Sequence, residues 1–181
     1  GSAYTDGNVI HIPSLPLDCD TELLHLARGY LDHESAHIRH TDFTALQNAN
    51  LDTVTKHLWN SIEDWRVEEK LSQIYPGCRQ HFHWLAKKVF LEDADISHRE
   101  AGSPSANPAS LVLEYVLLTV RSWAVPELDG KRDSVGETLN RTFNGLRREL
   151  DAILDRTQTS CQTTEDAIRF AQELATDRKS T

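Results

Sequence analysis

The chain has 181 residues, enough for one ordinary domain or two small ones, and it is 39% hydrophobic and 26% charged, which is typical of a globular protein with a buried core. Its formal net charge of −9 argues against nucleic-acid binding and against binding to anionic membranes, because both need a basic surface. No apolar run reaches the ~20 residues of a membrane span. The three cysteines form no Cys-x-x-Cys pair, which indicates a reducing compartment such as the cytoplasm.

The N-terminal half predicts a short hairpin followed by three helices. Asp6-Gly7 is a typical hairpin turn, and Asp18 or Asp20 can cap the first helix. Residues 41–50 are expected to be a polar connection. The predicted hairpin and helices are 3–12, Thr21–His40, Leu51–Ile74 and His81–Glu92.

The C-terminal half predicts a loop and further helices. Residues 96–109 are polar and contain Gly102, Pro104 and Pro108, so they are expected to form the loop. The predicted helices are Ala109–Ala124, the amphipathic segment Ser134–Arg156 and a last helix that begins at Thr163 or Thr164.

We therefore predict a mostly α (α+β) fold with a small N-terminal hairpin or edge strand and a C-terminal helical bundle. We expect a metal-binding core over residues 3–95, a loop over 96–109, and helices over 110–178 that pack on the core to give one domain overall.

The segment His33-Glu34-Ser35-Ala36-His37 matches H-E-x-x-H within the first predicted helix. Residues four apart lie on one helix face, so both imidazoles can reach one Zn²⁺ ion, and Glu34 can take a proton from an activated water molecule. His33, His37 and His40 continue an apolar stripe, but His40 is about 10 Å from His33 along the helix axis. We expect His40 to lie outside the ligand set.

The third ligand is expected on the second long helix, where two neighbouring acidic residues compete. Glu63 has Arg66 three residues later, which is typical of an ion pair on a helix surface. Asp64 and Glu68 are four residues apart on a stripe without Lys or Arg, and like charges at this spacing repel unless a cation or a proton lies between them. The pattern favours Asp64 over Glu63, although a helical glutamate is the commoner third ligand after H-E-x-x-H.

Four stretches of the sequence resemble the N-terminal part of CobT-like proteins, which include cobaltochelatase-CobT-like and nitric-oxide-reductase-activation-like members. The stretches are Tyr4–Pro13, Gly29–Phe43, Asn60–Glu68 and Tyr75–Gly77. The resemblance covers roughly residues 3–90 and implies a zincin-like metallopeptidase region, a cytoplasmic setting, a MoxR-type AAA+ ATPase partner and a von Willebrand factor A domain downstream. The sequence itself has no von Willebrand domain, and its Gly1-Ser2 start and lack of Met favour a piece of a longer protein.

The leading expectation is a zinc metalloprotease of the H-E-x-x-H type. His33 and His37 bind Zn²⁺ with Asp64 or Glu63, and Glu34 is the general base. The alternative is a non-catalytic, metal-stabilised interaction domain that links a MoxR-type ATPase to a von Willebrand module. We expect a protein or peptide substrate, no membrane and no nucleic acid.

Overall fold

The computed structural model describes residues 4–5, 9–11, 16, 18–92 and 108–177, and it confirms a mostly helical fold. The elements in chain order are β1 (Tyr4–Thr5), β2 (Ile10–His11), α1 (Thr21–His40), α2 (Phe43–Ala49), α3 (Thr53–Ile74), α4 (Cys78–Lys87), a π-helical turn (Lys88–Glu92), α5 (Pro108–Ser122), a 3-10 turn (Pro126–Leu128), α6 (Asp129–Thr142), α7 (Leu146–Ser160) and α8 (Thr164–Asp177).

The predicted hairpin is confirmed as an antiparallel pair, in which Tyr4 lies opposite His11 and Thr5 opposite Ile10. Its predicted turn at Asp6-Gly7 lies outside the described residues. Both strands contact α1.

Aspartate side chains begin the first three helices. Asp20, Asp42 and Asp52 each accept a hydrogen bond, at 2.8–2.9 Å, from the backbone N–H three residues later. Such a bond satisfies one of the N–H groups that lack a partner at a helix start. Asp20 is therefore the cap of α1, and α3 begins two residues later than predicted because Asp52 caps it.

Two boundaries differ from the prediction. The segment 41–50 is not a simple connection, because it contains α2, which packs against α8. The segment Ser134–Arg156 is not one helix, because α6 ends at Thr142 and α7 begins at Leu146. Gly145 separates them with a φ of +89°, a left-handed conformation that glycine adopts without strain.

The predicted loop at 96–109 lies outside the described residues up to position 107, and residues 108–109 already belong to α5. The third predicted helix begins earlier, at Cys78, and its last five residues form the π-helical turn.

Helix α3 lies at the centre of the fold and contacts α1, α4, α5 and α8. The main core joins it to the C-terminal helices, and Leu58 and Ile62 of α3 are fully buried there. A second core joins α1, α3 and α4 around Ala36, Val67 and Phe82. The predicted domain boundaries stay a prediction.

Helices α1 and α4 approach each other closely at Gly29. A Cβ atom added at this position would lie 3.1 Å from Leu85 Cβ, so a larger residue would push α4 outward. No helix among the described residues has the length and the apolar character needed to cross a membrane.

Candidate metal centre

Three side chains that can bind a metal ion converge between α1 and α3. His33 and His37 lie one helical turn apart on α1, Asp64 faces them from α3, and their ligand atoms all lie within 4.8 Å of one another. Asp64 Oδ1 is 3.1 Å from His37 Nε2 and 3.9 Å from His33 Nε2. The i, i+4 spacing thus directs both imidazoles at one carboxylate oxygen.

A chain of hydrogen bonds fixes the tautomer of His37. Thr41 donates its only hydroxyl proton to Glu63 Oε1 over 2.9 Å. The hydroxyl oxygen must therefore accept the hydrogen bond from His37 Nδ1, which is 2.9 Å away. The Nε2 atom, 3.1 Å from Asp64 Oδ1, donates a hydrogen bond to this carboxylate only when both ring nitrogens carry a proton; in the neutral ring it carries the lone pair that could bind a metal.

Glu68 fixes His33 in the same way. Its Oε1 atom lies 2.7 Å from His33 Nδ1, and a carboxylate only accepts, so Nδ1 carries the proton. A carboxylate on the far nitrogen of a metal-binding histidine orients the ring and raises its basicity.

The donor set fits Zn²⁺. When both imidazoles are neutral, His33 Nε2, His37 Nε2 and Asp64 Oδ1 are three acceptor atoms with no proton among them. Ligand atoms of a tetrahedral zinc site are about 3.3 Å apart, since the zinc–ligand bonds are about 2.0–2.1 Å long. The observed distances of 3.1 and 3.9 Å from Asp64 Oδ1 to the two histidines lie on either side of this value.

Arg121 from α5 supplies a cation that sequence reasoning did not find. Its terminal nitrogens donate to Asp64 Oδ2 and Glu68 Oε2, each over 2.8 Å, and all three side chains are nearly buried. The expectation that a cation lies between the two carboxylates is thus met by Arg121, which comes from a helix far along the sequence. Its signal in the sequence is weak: Arg121 is the single basic residue of the apolar helix α5.

With neutral histidines, two carboxylates against one guanidinium leave one negative charge in the cluster uncompensated. Of the two oxygens of Asp64, Arg121 and Asn60 donate only to Oδ2, so Oδ1 stays available on the histidine side. Arg121 therefore orients the aspartate without occupying the space between Oδ1 and the two histidines.

The pKa values in the cluster are shifted by these contacts. Burial lowers the pKa of His33, but the hydrogen bond to Glu68 and the charges of Asp64 and Glu68 outweigh burial and raise it above 6.5. Burial raises the pKa of Asp64, but the hydrogen bond to His37 and the charges of His33 and Arg121 lower it to about 2. A metal ion bound here would have to displace a proton from His33, so its affinity would decrease as the pH falls.

Glu63, the other predicted third ligand, points to different partners. It is fully buried, and Arg66 donates to both of its oxygens over 2.6 and 2.8 Å. Thr41 and Thr164 donate to Oε1 as well. Since Arg66 also binds the carbonyl oxygen of His40, this pair connects α3 to the end of α1 and the start of α8. The structure groups Asp64 with the histidines, and metal binding itself stays a prediction.

Glu34 is only 8% exposed. Within the part of the chain that the structure describes, its carboxylate has no hydrogen-bond or ion-pair partner. Its oxygens are not among the fully buried side-chain atoms that lack a partner, so a water molecule or a substrate group can reach them.

The other histidines that the structure describes are not grouped with this cluster. His81 binds Asp32 over 2.6 Å, so Asp32 orients His81 and not a metal ligand. His83 binds Glu127 over 3.1 Å. His40 is not grouped with the ligands, and its buried Nε2 atom has no partner among the described residues.

A cleft of about 150 Å³ opens beside the metal centre. His33, Asp64, Glu68 and Arg121 line one side, and apolar residues of α1, α4 and the π-helical turn line the other. The candidate ligands can therefore be reached from this cleft.

The structure thus defines a mostly helical protein with a candidate His-His-Asp metal centre between two packed helices. The model of the CobT family, described as cobalamin biosynthesis protein CobT, matches residues 1–120, more than half of the chain. The chain belongs to the CobT family. No curated protein and no solved structure matches it.

Proposed function

We propose that the chain is a zinc-dependent metallopeptidase domain that acts on protein or peptide substrates in the cytoplasm. The observation that supports it best is the convergence of three acceptor atoms, from His33, His37 and Asp64. The second polar atom of each side chain is hydrogen-bonded to a neighbouring side chain. Carboxylate–histidine contacts of this kind are typical of zinc sites. The three cysteines are free, in keeping with a reducing compartment.

The residues divide the catalytic work between them. When bound, Zn²⁺ supplies Lewis-acid activation of the peptide carbonyl and lowers the pKa of a water molecule. His33, His37 and Asp64 hold the ion. Glu34 accepts the proton of the attacking water and passes it to the leaving nitrogen as the C–N bond breaks. The absence of a described protein partner leaves the Glu34 carboxylate available for this transfer.

A second candidate function has an observation of its own. Leu24, Leu31 and Ile38 follow each other at seven-residue spacing along α1, and each exposes 37–42% of its surface. An exposed apolar stripe is typical of a protein–protein contact. It favours the alternative of a non-catalytic, metal-stabilised interaction domain in a system of a MoxR-type AAA+ ATPase and a von Willebrand factor A domain.

Peptide hydrolysis by the Glu34→Gln variant distinguishes the two functions. The metal-free protein is supplied with one equivalent of Zn²⁺ and incubated with a mixed-sequence fluorogenic peptide library. We expect zinc-dependent hydrolysis that falls at least about a hundredfold in Glu34→Gln, while zinc binding persists, because only the proton acceptor is lost.

Glu165→Gln, an exposed change on α8, is the matched control and should leave the rate unchanged. Unchanged hydrolysis in Glu34→Gln would contradict the proposed role of Glu34. A wild-type protein that binds zinc and hydrolyses no peptide would favour the interaction domain.

A further inference from the structure

We propose that the cleft beside the metal centre binds one uncharged apolar group, between a leucine and a phenylalanine side chain in size. We assign this group to the side chain of the substrate residue next to the cleaved bond, an assignment that rests on the proposed peptidase function. The apolar lining residues are Tyr30, Phe82, Leu85, Ala86, Val89 and Phe90.

The position of the cleft connects it to the chemistry. Two candidate ligands, His33 and Asp64, form part of its wall, so a group bound there lies against the metal centre. The apolar wall lies beside the candidate metal centre because α1 and α4 approach each other closely at Gly29 and Leu85. A substrate chain that passes the metal would therefore direct one side chain into the cleft.

The volume of the cleft limits the group. It measures about 150 Å³. An enclosed apolar cavity of about 150 Å³ accepts one benzene molecule. This cleft has a similar volume, but it opens to solvent on one side and has four polar residues in its wall. A branched aliphatic chain or a single six-membered ring therefore fits, and burial of its carbons supplies the affinity.

The polar wall disfavours charged groups because most of its charged atoms already have partners. The oxygens of Glu68 bind His33 and Arg121, and Asp64 Oδ2 binds Arg121 and Asn60. Arg121 Nε has no partner among the described residues, but it is fully buried. The remaining negative charge lies on Asp64 Oδ1, which faces the two histidines and is the atom proposed to bind the metal. A lysine or aspartate side chain among the apolar residues would therefore lose its hydration without gaining a partner of opposite charge.

Benzene binding tests the cleft without zinc or catalysis. Chemical-shift changes of the metal-free protein are followed as benzene is added to the wild type, to Ala86→Leu and to Ala152→Leu. Ala86 lines the cleft, whereas Ala152 is exposed on α7. We expect saturable binding to the wild type and to Ala152→Leu, and at least tenfold weaker binding to Ala86→Leu.

Because Ala86→Leu adds volume to a packed region, Val89→Thr is the second variant. It keeps the shape of the side chain and adds a hydroxyl group, and it should also weaken benzene binding. A wild type that does not bind benzene, or equal affinity in all variants, overturns the proposal.

Three zinc-binding hydroxamates connect the cleft to the metal centre. With the zinc-loaded protein, 3-methylbutanohydroxamic acid should bind about fifty-fold more tightly than acetohydroxamic acid, because three more carbons are buried. The cationic 4-aminobutanohydroxamic acid should bind no more tightly than acetohydroxamic acid. A ratio within twofold between the first two compounds overturns the assignment to the substrate. Benzene binding without any hydroxamate binding would instead contradict the zinc chemistry and leave the apolar site supported.

Discussion

Replacement of Arg121 by Met should destabilise the metal-free protein by about 3–5 kcal/mol. The guanidinium group donates to Asp64 and Glu68 over 2.8 Å each, and the three side chains are only 10–12% exposed. Removal of one partner from a buried ion pair costs about 3–5 kcal/mol, because the other charge is left buried without compensation. Methionine keeps much of the packing volume, so the loss reports mainly the charge.

Urea unfolding at pH 7 in the presence of a chelator measures this loss. Arg132→Met is the matched control, because Arg132 pairs with Asp129 and Asp133, whose side chains are about half exposed. Exposed pairs contribute about 0–1 kcal/mol, and salt weakens them further. Equal losses in the two variants, or a loss below about 1 kcal/mol in Arg121→Met, would refute the reasoning.

Three further predictions follow from single contacts. Thr41→Val removes the acceptor of His37 Nδ1 and should lower zinc affinity about tenfold to a hundredfold, as measured by competition with a chelating dye. The pKa of Asp64 is about 2 in the folded protein against an ordinary value of 3.8, which contributes about 2 kcal/mol to the free energy of unfolding above about pH 4. This contribution is lost as the pH falls to about 2. The difference in unfolding free energy between wild type and Asp64→Asn, followed across this pH range, measures it. Gly29→Ala places a methyl group 3.1 Å from Leu85 Cβ and should destabilise the protein by about 1–3 kcal/mol in urea unfolding.

Each of these predictions has a control or an outcome that would contradict it. Thr44→Val, on the exposed side of α2, should leave zinc affinity unchanged. A pH-independent difference between wild type and Asp64→Asn would contradict the shifted pKa. A Cβ atom at Gly130 of α6 meets nothing within 4 Å, so Gly130→Ala should stabilise the protein by up to about 1 kcal/mol, and an equal loss in Gly29→Ala and Gly130→Ala would contradict the steric argument.

The local part of the candidate site could be predicted from the sequence. Helix periodicity places His33 and His37 on one face, and Asp20 caps their helix as a short polar side chain is expected to do. The choice between Glu63 and Asp64 also depended on a local signal, since Arg66 lies one turn after Glu63 and pairs with it.

The contacts that other parts of the chain make with the candidate site could not be predicted in this way. Arg121 lies 57 positions after Asp64, and periodicity carries no information about which residues of separate helices meet. Thr41 has no motif that distinguishes it from an ordinary helix end, although it fixes the tautomer of His37.

The two errors in the fold have different causes. In the segment Ser134–Arg156, Leu139, Leu146 and Leu150 keep a helical period across the break at Gly145, so the pattern conceals two helices. Helix α2 is too short to be stable alone, and its contact with α8, far along the chain, supports it.

The most direct test of the metal centre is a crystal structure of the protein prepared with zinc, with anomalous data collected at the zinc absorption edge. The account predicts one strong peak within bonding distance of His33 Nε2, His37 Nε2 and Asp64 Oδ1, with Glu63 still bound to Arg66. A peak at Glu63, or no peak between α1 and α3, would contradict it.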